Sequence, residues 1–362
     1  MKKIFVVIIL SLILSISKVY ALDTAKSTIV MDTNSKRILY ERNKDDKRLI
    51  ASITKIMTAV IAIENKNLNS IVTIGDEVLP MYGSNIYITP NEKMTLKDLL
   101  YGLILRSGND AAVAIAIYVS GTEENFVKLM NKKAQELGMM NTIFNNCTGL
   151  DDDTQNYSTA YDMALLSSYA NTLMEYCEIA GTKKWTVQEN DKTYIWYNRN
   201  KLLNEYKYAY GGKTGYTPKA GKTFVSTAEK DNLKLTIVSL NDSDMYKNHE
   251  DLYDYYFSKY KNILVIDKDE INIKNNGYNG TLYVKEDFYY PLTDEEKEQI
   301  KIDIELYKTK EYKNNSKVGE IIVKLKDNEL YKEDILIRKN ETPKDNLFTK
   351  IINYIKKNFK KM

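Results

Sequence analysis

The chain has one histidine, His249, among 362 residues. A hydrolase of the Ser-His-Asp type needs a histidine as its proton shuttle. His249 lies in the charged run Lys247 to Glu250. The local pattern predicts a solvated or capping residue on a helix. That setting argues strongly against the Ser-His-Asp arrangement, and the scarcity argues against a histidine-based zinc site. Cysteine is nearly as scarce. Cys147 and Cys177 are the two in the chain, and the expectation is two free or semi-buried thiols rather than a disulfide scaffold. Net charge is also missing. The formal value is +3, and Lys2, Lys3 and Lys18 account for it. Without the leader that holds them the chain is neutral, so no broad basic surface for nucleic acid is expected.

What is present is an ordinary globular composition. Hydrophobic residues make up 43% and charged residues 28%, which supports a real core and argues against wholesale disorder. At roughly 100–200 residues per domain, the length suits two folded domains. Residues 1–21 read as a secretory signal peptide. Lys2 and Lys3 open it, Ile4 to Leu14 is apolar except for Ser11, and Val19-Tyr20-Ala21 offers a small-x-small cleavage pattern. The apolar run falls short of the about 20 residues that a spanning helix needs.

The other end differs. From Asn346 to Met362 there are five lysines and no acid. At about 100° per residue, Leu347, Phe348, Ile351, Ile352, Ile355, Phe359 and Met362 share an arc of roughly 140°, with Asn358 the one polar intruder. The lysines fill the opposite arc. Residues 342–362 are therefore expected to form an amphipathic anchor helix on an anionic membrane surface.

Between the ends, Thr28 to Tyr40 reads as a hairpin turning at Asp32 to Ser35. Helices are predicted from Ser52 to Glu64, Leu96 to Leu105 and Asp110 to Val119. Thr122 caps another running to about Leu137, and Ser158 or Thr159 caps one more. Strand patterns dominate from Lys184 to Asn241, with a hairpin at Lys230-Asp231-Asn232, and Tyr246 to Tyr260 returns to helical spacing. This order predicts an α+β domain with a largely antiparallel sheet over residues 22–262. Short alternating strands follow at Ile271 to Ile273, Thr281 to Val284, Ile302 to Leu306, Val318 to Leu325 and Asp334 to Arg338. They predict a small all-β domain over 263–341.

Chemistry enters with Ser52-Ile53-Thr54-Lys55. A serine and a lysine three apart on a helix share a face. A lysine that is partly buried or beside other cations loses basicity and can take the serine's proton. Ser15 and Lys18, and Ser258 and Lys261, have the same spacing, so the pair alone is weak. Ser107-Gly108-Asn109 breaks two apolar helices. It suits a proton relay and an amide grip, or simply a turn. Gly211-Gly212-Lys213-Thr214-Gly215 precedes a hairpin. Glycines there let a substrate backbone approach a strand edge, while Lys213 and Thr214 suit a carboxylate.

Together, Ser-x-x-Lys, Ser-x-Asn and Lys-Thr-Gly in this order describe the penicillin-recognising serine enzymes. The chain resembles the low-molecular-mass D-alanyl-D-alanine carboxypeptidases. The likeness runs through Ala51 to Thr58, Leu105 to Ala112, Gly149-Leu150-Asp151, Tyr157 to Ala160, Asn200-Lys201-Leu202-Leu203, Gly212 to Pro218 and Ala220-Gly221. The resemblance implies a β-lactamase/DD-peptidase-like domain. It implies that Ser52 attacks the carbonyl between two terminal D-alanines and Lys55 takes its proton. Ser107 would relay a proton, Asn109 would position substrate or Lys55, and Lys213 and Thr214 would bind the terminal carboxylate. Gly215 and Tyr216 would bind substrate beside them, with the N–H groups of Ser52 and Tyr216 as the oxyanion hole. It implies peptidoglycan stem peptides as substrate, β-lactam antibiotics as covalent inhibitors, no cofactor or metal, and a place at the outer face of the cytoplasmic membrane. Arg106 and Cys147 depart from the family's usual residues beside Ser107 and Gly149. A class A β-lactamase is disfavoured because no glutamate lies between Glu136 and Glu175 to activate a deacylating water. A non-catalytic wall-binding protein would be free to lose Ser52 or Lys55, and both are kept.

Overall fold

The computed structural model describes residues 23–339 except 190, 270, 272, 274–276, 309 and 310. The expected leader and the C-terminal anchor helix lie outside them. The chain divides into two compact units, one ending at Tyr260 and one beginning at Lys261.

The first unit is built on a five-stranded antiparallel sheet. Its strands are β1 (Ala25–Asp32), β2 (Ile38–Arg42), β3 (Ala209–Thr217), β4 (Gly221–Lys230) and β5 (Leu233–Asp242), in the order β2-β1-β5-β4-β3. Side chains alternate across it, as the two-residue period of a strand requires. Ile29, Met31, Val225, Val238 and Leu240 join the main core. Val30, Phe224, Leu235 and Ile237 pack on the other side.

The main core belongs to a helical cluster: α1 (Lys55–Asn65), α2 (Leu96–Leu105), α3 (Asn109–Ser120), α4 (Glu123–Glu136), α5 (Ala160–Ala170) and α6 (Met174–Gly181). Three of these helices start at a threonine whose hydroxyl accepts a backbone N–H three residues on: Thr95 from Asp98, Thr122 from Asn125 and Thr159 from Asp162. Such caps satisfy donors that the first turn would otherwise leave open. Both cysteines are free thiols, Cys147 buried and Cys177 half-buried.

α7 (Met245–Lys259) covers the opposite face of the sheet. Asn248, His249, Tyr253, Tyr256 and Phe257 form its buried stripe. His249 therefore departs from the solvated role that its charged neighbours predicted. It is fully buried, with its ring nitrogens 2.7 Å from Ser226 Oγ and 2.9 Å from Ser239 Oγ. The helical period decides its direction, and Lys247 and Glu250 point elsewhere. Burial pushes its imidazole down to about 3.

The second unit is all-β by itself. β6 (Lys261–Ile266) and β8 (Phe288–Leu292) form a ribbon, and β7 (Gly280–Tyr283), β9 (Ile300–Leu306), β10 (Ser316–Leu325) and β11 (Asn328–Lys339) form a sheet in the order β7-β11-β10-β9. Leu282, Val318, Ile321, Val323, Ile335 and Ile337 are its core. The expected strand at Ile271 to Ile273 is not formed at 271 or 273, and 272 lies outside the described residues.

Candidate active site

Ser52 sits on a 3-10 turn, Ala51–Thr54, that feeds directly into α1. The sequence predicted continuous α-helix here. The tighter turn follows from the left-handed Ala51 (φ 49°) at its start. Two glycines hold the turn from either side. A Cβ on Gly149 would stand 2.0 Å from the Ala51 carbonyl oxygen, and one on Gly215 would stand 2.5 Å from Thr223 Oγ1 and 2.9 Å from Ser52 N. The Thr223 hydroxyl in turn donates to the Ile50 carbonyl at 3.0 Å. The first helical turn brings Lys55 Nζ to 3.2 Å from Ser52 Oγ.

Lys55 is fully buried. Its Nζ also donates to Asn109 Oδ1 at 2.7 Å and to the Thr148 carbonyl. Burial lowers its basicity to about 7. Removing an ammonium from water favours the neutral amine. Cys147 and Asp110 oppose the shift, and the Arg199 charge adds to it. An amine in this state exchanges its proton near neutrality.

Ser107 follows α2 in a left-handed conformation (φ 63°). Its hydroxyl oxygen is buried, and no hydrogen-bond partner for it stands among the described residues. Asn109 opens α3. Its Nδ2 donates to the Tyr82 carbonyl at 2.7 Å, and its backbone N–H to the Ser84 carbonyl at 2.7 Å. The next residue, Asp110, accepts backbone N–H groups from Ile86, Tyr87, Ile88 and Ala111. The segment 82–88 is thereby fastened along the site.

The third set lies on β3, an edge strand beside β4. Lys213 is 1% exposed, and its Nζ donates to the Thr214 carbonyl at 2.7 Å. Burial, with Lys55 and Arg199 repelling in the same direction, pulls its ammonium well below the usual lysine range. Thr214, Gly215 and Tyr216 line a cavity of about 450 Å³ together with Ser52, Ser107 and Arg199. The eight residues singled out by sequence thus gather around this one cavity, with Lys55, Asn109 and Lys213 behind its wall.

Arg199 is the functional candidate that the sequence reading missed. Its Nη1 donates to Ser84 Oγ at 2.7 Å, which leaves a guanidinium in the cavity wall. It immediately precedes Asn200-Lys201-Leu202-Leu203, so the one available signal was its place beside a family-like segment. Burial lowers the Arg199 guanidinium from its ordinary range, and the Arg106 charge adds to that shift.

Residues 18–244 match the family described as D-alanyl-D-alanine carboxypeptidase. The chain belongs to that family. Residues 260–344 match the C-terminal domain of penicillin-binding protein 5. D-alanyl-D-alanine carboxypeptidase DacF of Bacillus subtilis is 37% identical over 246 residues, covering 66% of this chain and 63% of the relative's length. DacA of Escherichia coli is 31% identical over 360 residues, 92% of this chain and 87% of that one. Among solved structures, penicillin-binding protein 5 from Haemophilus influenzae matches with a TM-score of 0.72 at 27% identity, covering 88% of this chain and 98% of that one. A D-alanyl-D-alanine carboxypeptidase from Mycobacterium tuberculosis matches with a TM-score of 0.64 at 29% identity, over 67% of this chain and 95% of that one.

Proposed function

We propose that the chain is an exported serine-type D-Ala-D-Ala carboxypeptidase, acting through an acyl-enzyme on Ser52. The observation that carries this reading is the buried Lys55 amine, shifted to about 7 and placed 3.2 Å from the Ser52 hydroxyl. A neutral amine there accepts the Ser52 proton as Oγ bonds to the carbonyl carbon between the two D-alanines of a peptidoglycan stem pentapeptide. The N–H groups of Ser52 and Tyr216 receive the developing oxyanion. Ser107, whose hydroxyl oxygen has no hydrogen-bond partner among the described residues, hands its proton to the nitrogen of the departing D-alanine and is reprotonated from the Lys55 ammonium, so the C–N bond breaks and the Lys55 amine is neutral again. Asn109 holds Lys55 in place through its Oδ1. Thr214 Oγ1 and Arg199 bind the terminal carboxylate, with Lys213 behind them. Water then cleaves the Ser52 ester and releases the shortened peptide.

A β-lactam carries a corresponding amide carbonyl in a strained four-membered ring with a carboxylate beside it, so it acylates Ser52 as a covalent inhibitor. The absence of a glutamate between Glu136 and Glu175 disfavours rapid hydrolysis of that adduct.

Intact-mass measurement should show one benzylpenicillin adduct, and a pentapeptide should lose one D-alanine. Ser52→Ala should abolish both. Failure of acylation in the unsubstituted chain, or D-alanine release that survives Ser52→Ala, overturns the reading. The leader 1–21 and the basic tail 342–362 support a place at the outer face of the cytoplasmic membrane, the tail lying on anionic lipid.

A further inference from the structure

The four-stranded sheet of the second unit ends in β9, whose sequence is Ile-Lys-Ile-Asp-Ile-Glu-Leu. Among the described residues it pairs with β10 alone, from Ile300 opposite Leu325 to Leu306 opposite Gly319, without a bulge. On the same register the Tyr307 amide donates to the Val318 carbonyl at 2.8 Å. Antiparallel ladders alternate. The odd-numbered residues of β9 therefore turn their backbone groups toward β10, and Ile300, Ile302, Ile304 and Leu306 turn theirs outward.

The side chains of those four residues share the sheet's apolar face. Val323 and Ile321, opposite Ile302 and Ile304, are buried. Ile302 and Ile304 themselves remain 45% and 41% exposed. Natural sheets commonly blunt an edge with a proline, a bulge or a very short strand. The other edge, β7, has four residues. β9 has seven, with neither proline nor bulge.

We propose that β9 is an association surface for a second copy of this chain, paired antiparallel about a two-fold axis through Asp303. The sequence complements itself in that register. Ile302 meets Ile304 of the copy, Ile300 meets Leu306, and Lys301 meets Glu305, each pair occurring twice. The outward backbone groups fall opposite one another in hydrogen-bonded pairs. Two neighbouring registers keep this backbone match and are worse. One sets Asp303 against Glu305, and the other leaves Glu305 and Leu306 without partners. The two Asp303 carboxylates meet on the axis, but each is held by Lys324 at 2.8 Å. Lys301 and Lys324 of the two copies then balance Asp303 and Glu305. The joined sheets continue one apolar face across the axis and cover Ile302 and Ile304.

The test is disulfide trapping in the full chain. Residues facing each other in a non-hydrogen-bonded pair have Cα atoms about 4.5 Å apart, within disulfide reach. Asp303→Cys should give a covalent dimer under mild oxidation, and the unsubstituted chain should not. Adding Lys301→Glu, or separately Glu305→Lys, should cut trapping about tenfold through repulsion across the axis. Combining both exchanges the charges and should restore it. Sedimentation of the chain without the cysteine should show the same loss and rescue in its dimer constant. Circular dichroism that matches the parent identifies variants that remain folded. No trapped dimer, or trapping indifferent to the charge reversals, or no rescue by the double exchange, overturns the proposal.

Discussion

At the scale of single residues, Lys55 sets the behaviour of the site. A solvent-exposed lysine stays charged up to pH 10. Lys55, buried and lowered to about 7, changes state within the working range. On the proposed mechanism the proton acceptor is the neutral amine, so acylation should be slow below pH 7 and reach a plateau above it. The rate constant for benzylpenicillin acylation, followed from pH 5 to 9, should fall about tenfold per unit on the acid side. A rate that climbs steadily through pH 9 would remove Lys55 from this role. Lys55→Arg should lose acylation at every pH, because a guanidinium stays protonated. Much of this was legible in sequence, since a three-residue spacing on a helix forces proximity. Arg199 was not. Its approach to Ser84 spans 115 positions of the chain, and nothing local announces it.

At the scale of elements, residues 86–88 of the segment 82–88 are held by one side chain. Asp110 gathers N–H groups of residues 86, 87 and 88 from more than 20 positions away. Asp110→Ala would leave those donors without their acceptor at a cost of about 3 kcal/mol. Thermal unfolding should shift down, and acylation by benzylpenicillin should slow at least tenfold because Asn109 is anchored through the same segment. Unchanged values for both would show that the segment holds its shape without Asp110. The helices show what sequence can and cannot reveal. Thr122 and Thr159 announce their helices with capping hydroxyls, and those two starts were readable. α6 begins after Leu173, which makes no side-chain cap, and it went unnoticed. His249 was misread for a related reason. Charged residues flank it at Lys247 and Glu250, while the stripe that buries it continues through Tyr253, Tyr256 and Phe257 further along the helix.

At the scale of the whole molecule, every residue assigned to the reaction falls in the first unit. The Mycobacterium tuberculosis structure is 95% covered by a match to 67% of this chain. A chain ended at residue 345 should therefore keep its acylation rate and lose its affinity for anionic vesicles, measured by co-sedimentation at low salt. Vesicle binding that survives the truncation would move the lipid contact elsewhere. The small β unit was recognisable from alternation, but its ribbon strands β6 and β8 were not: Pro291 breaks the pattern in Phe288–Leu292, and Lys261–Ile266 is an apolar run without alternation. The scarcity of histidine also has an experimental use. With a single imidazole in the chain, its carbon-bound protons give one isolated set of magnetic resonance signals. The ring sits between Ser226 on β4, which pairs with the Lys213 strand, and Ser239 on β5. The signals should stay fixed from pH 5 to 8 while the sheet is intact and titrate near 6.5 once it opens. A lone histidine that takes no part in the chemistry thus becomes a built-in label for the sheet that carries the site strand.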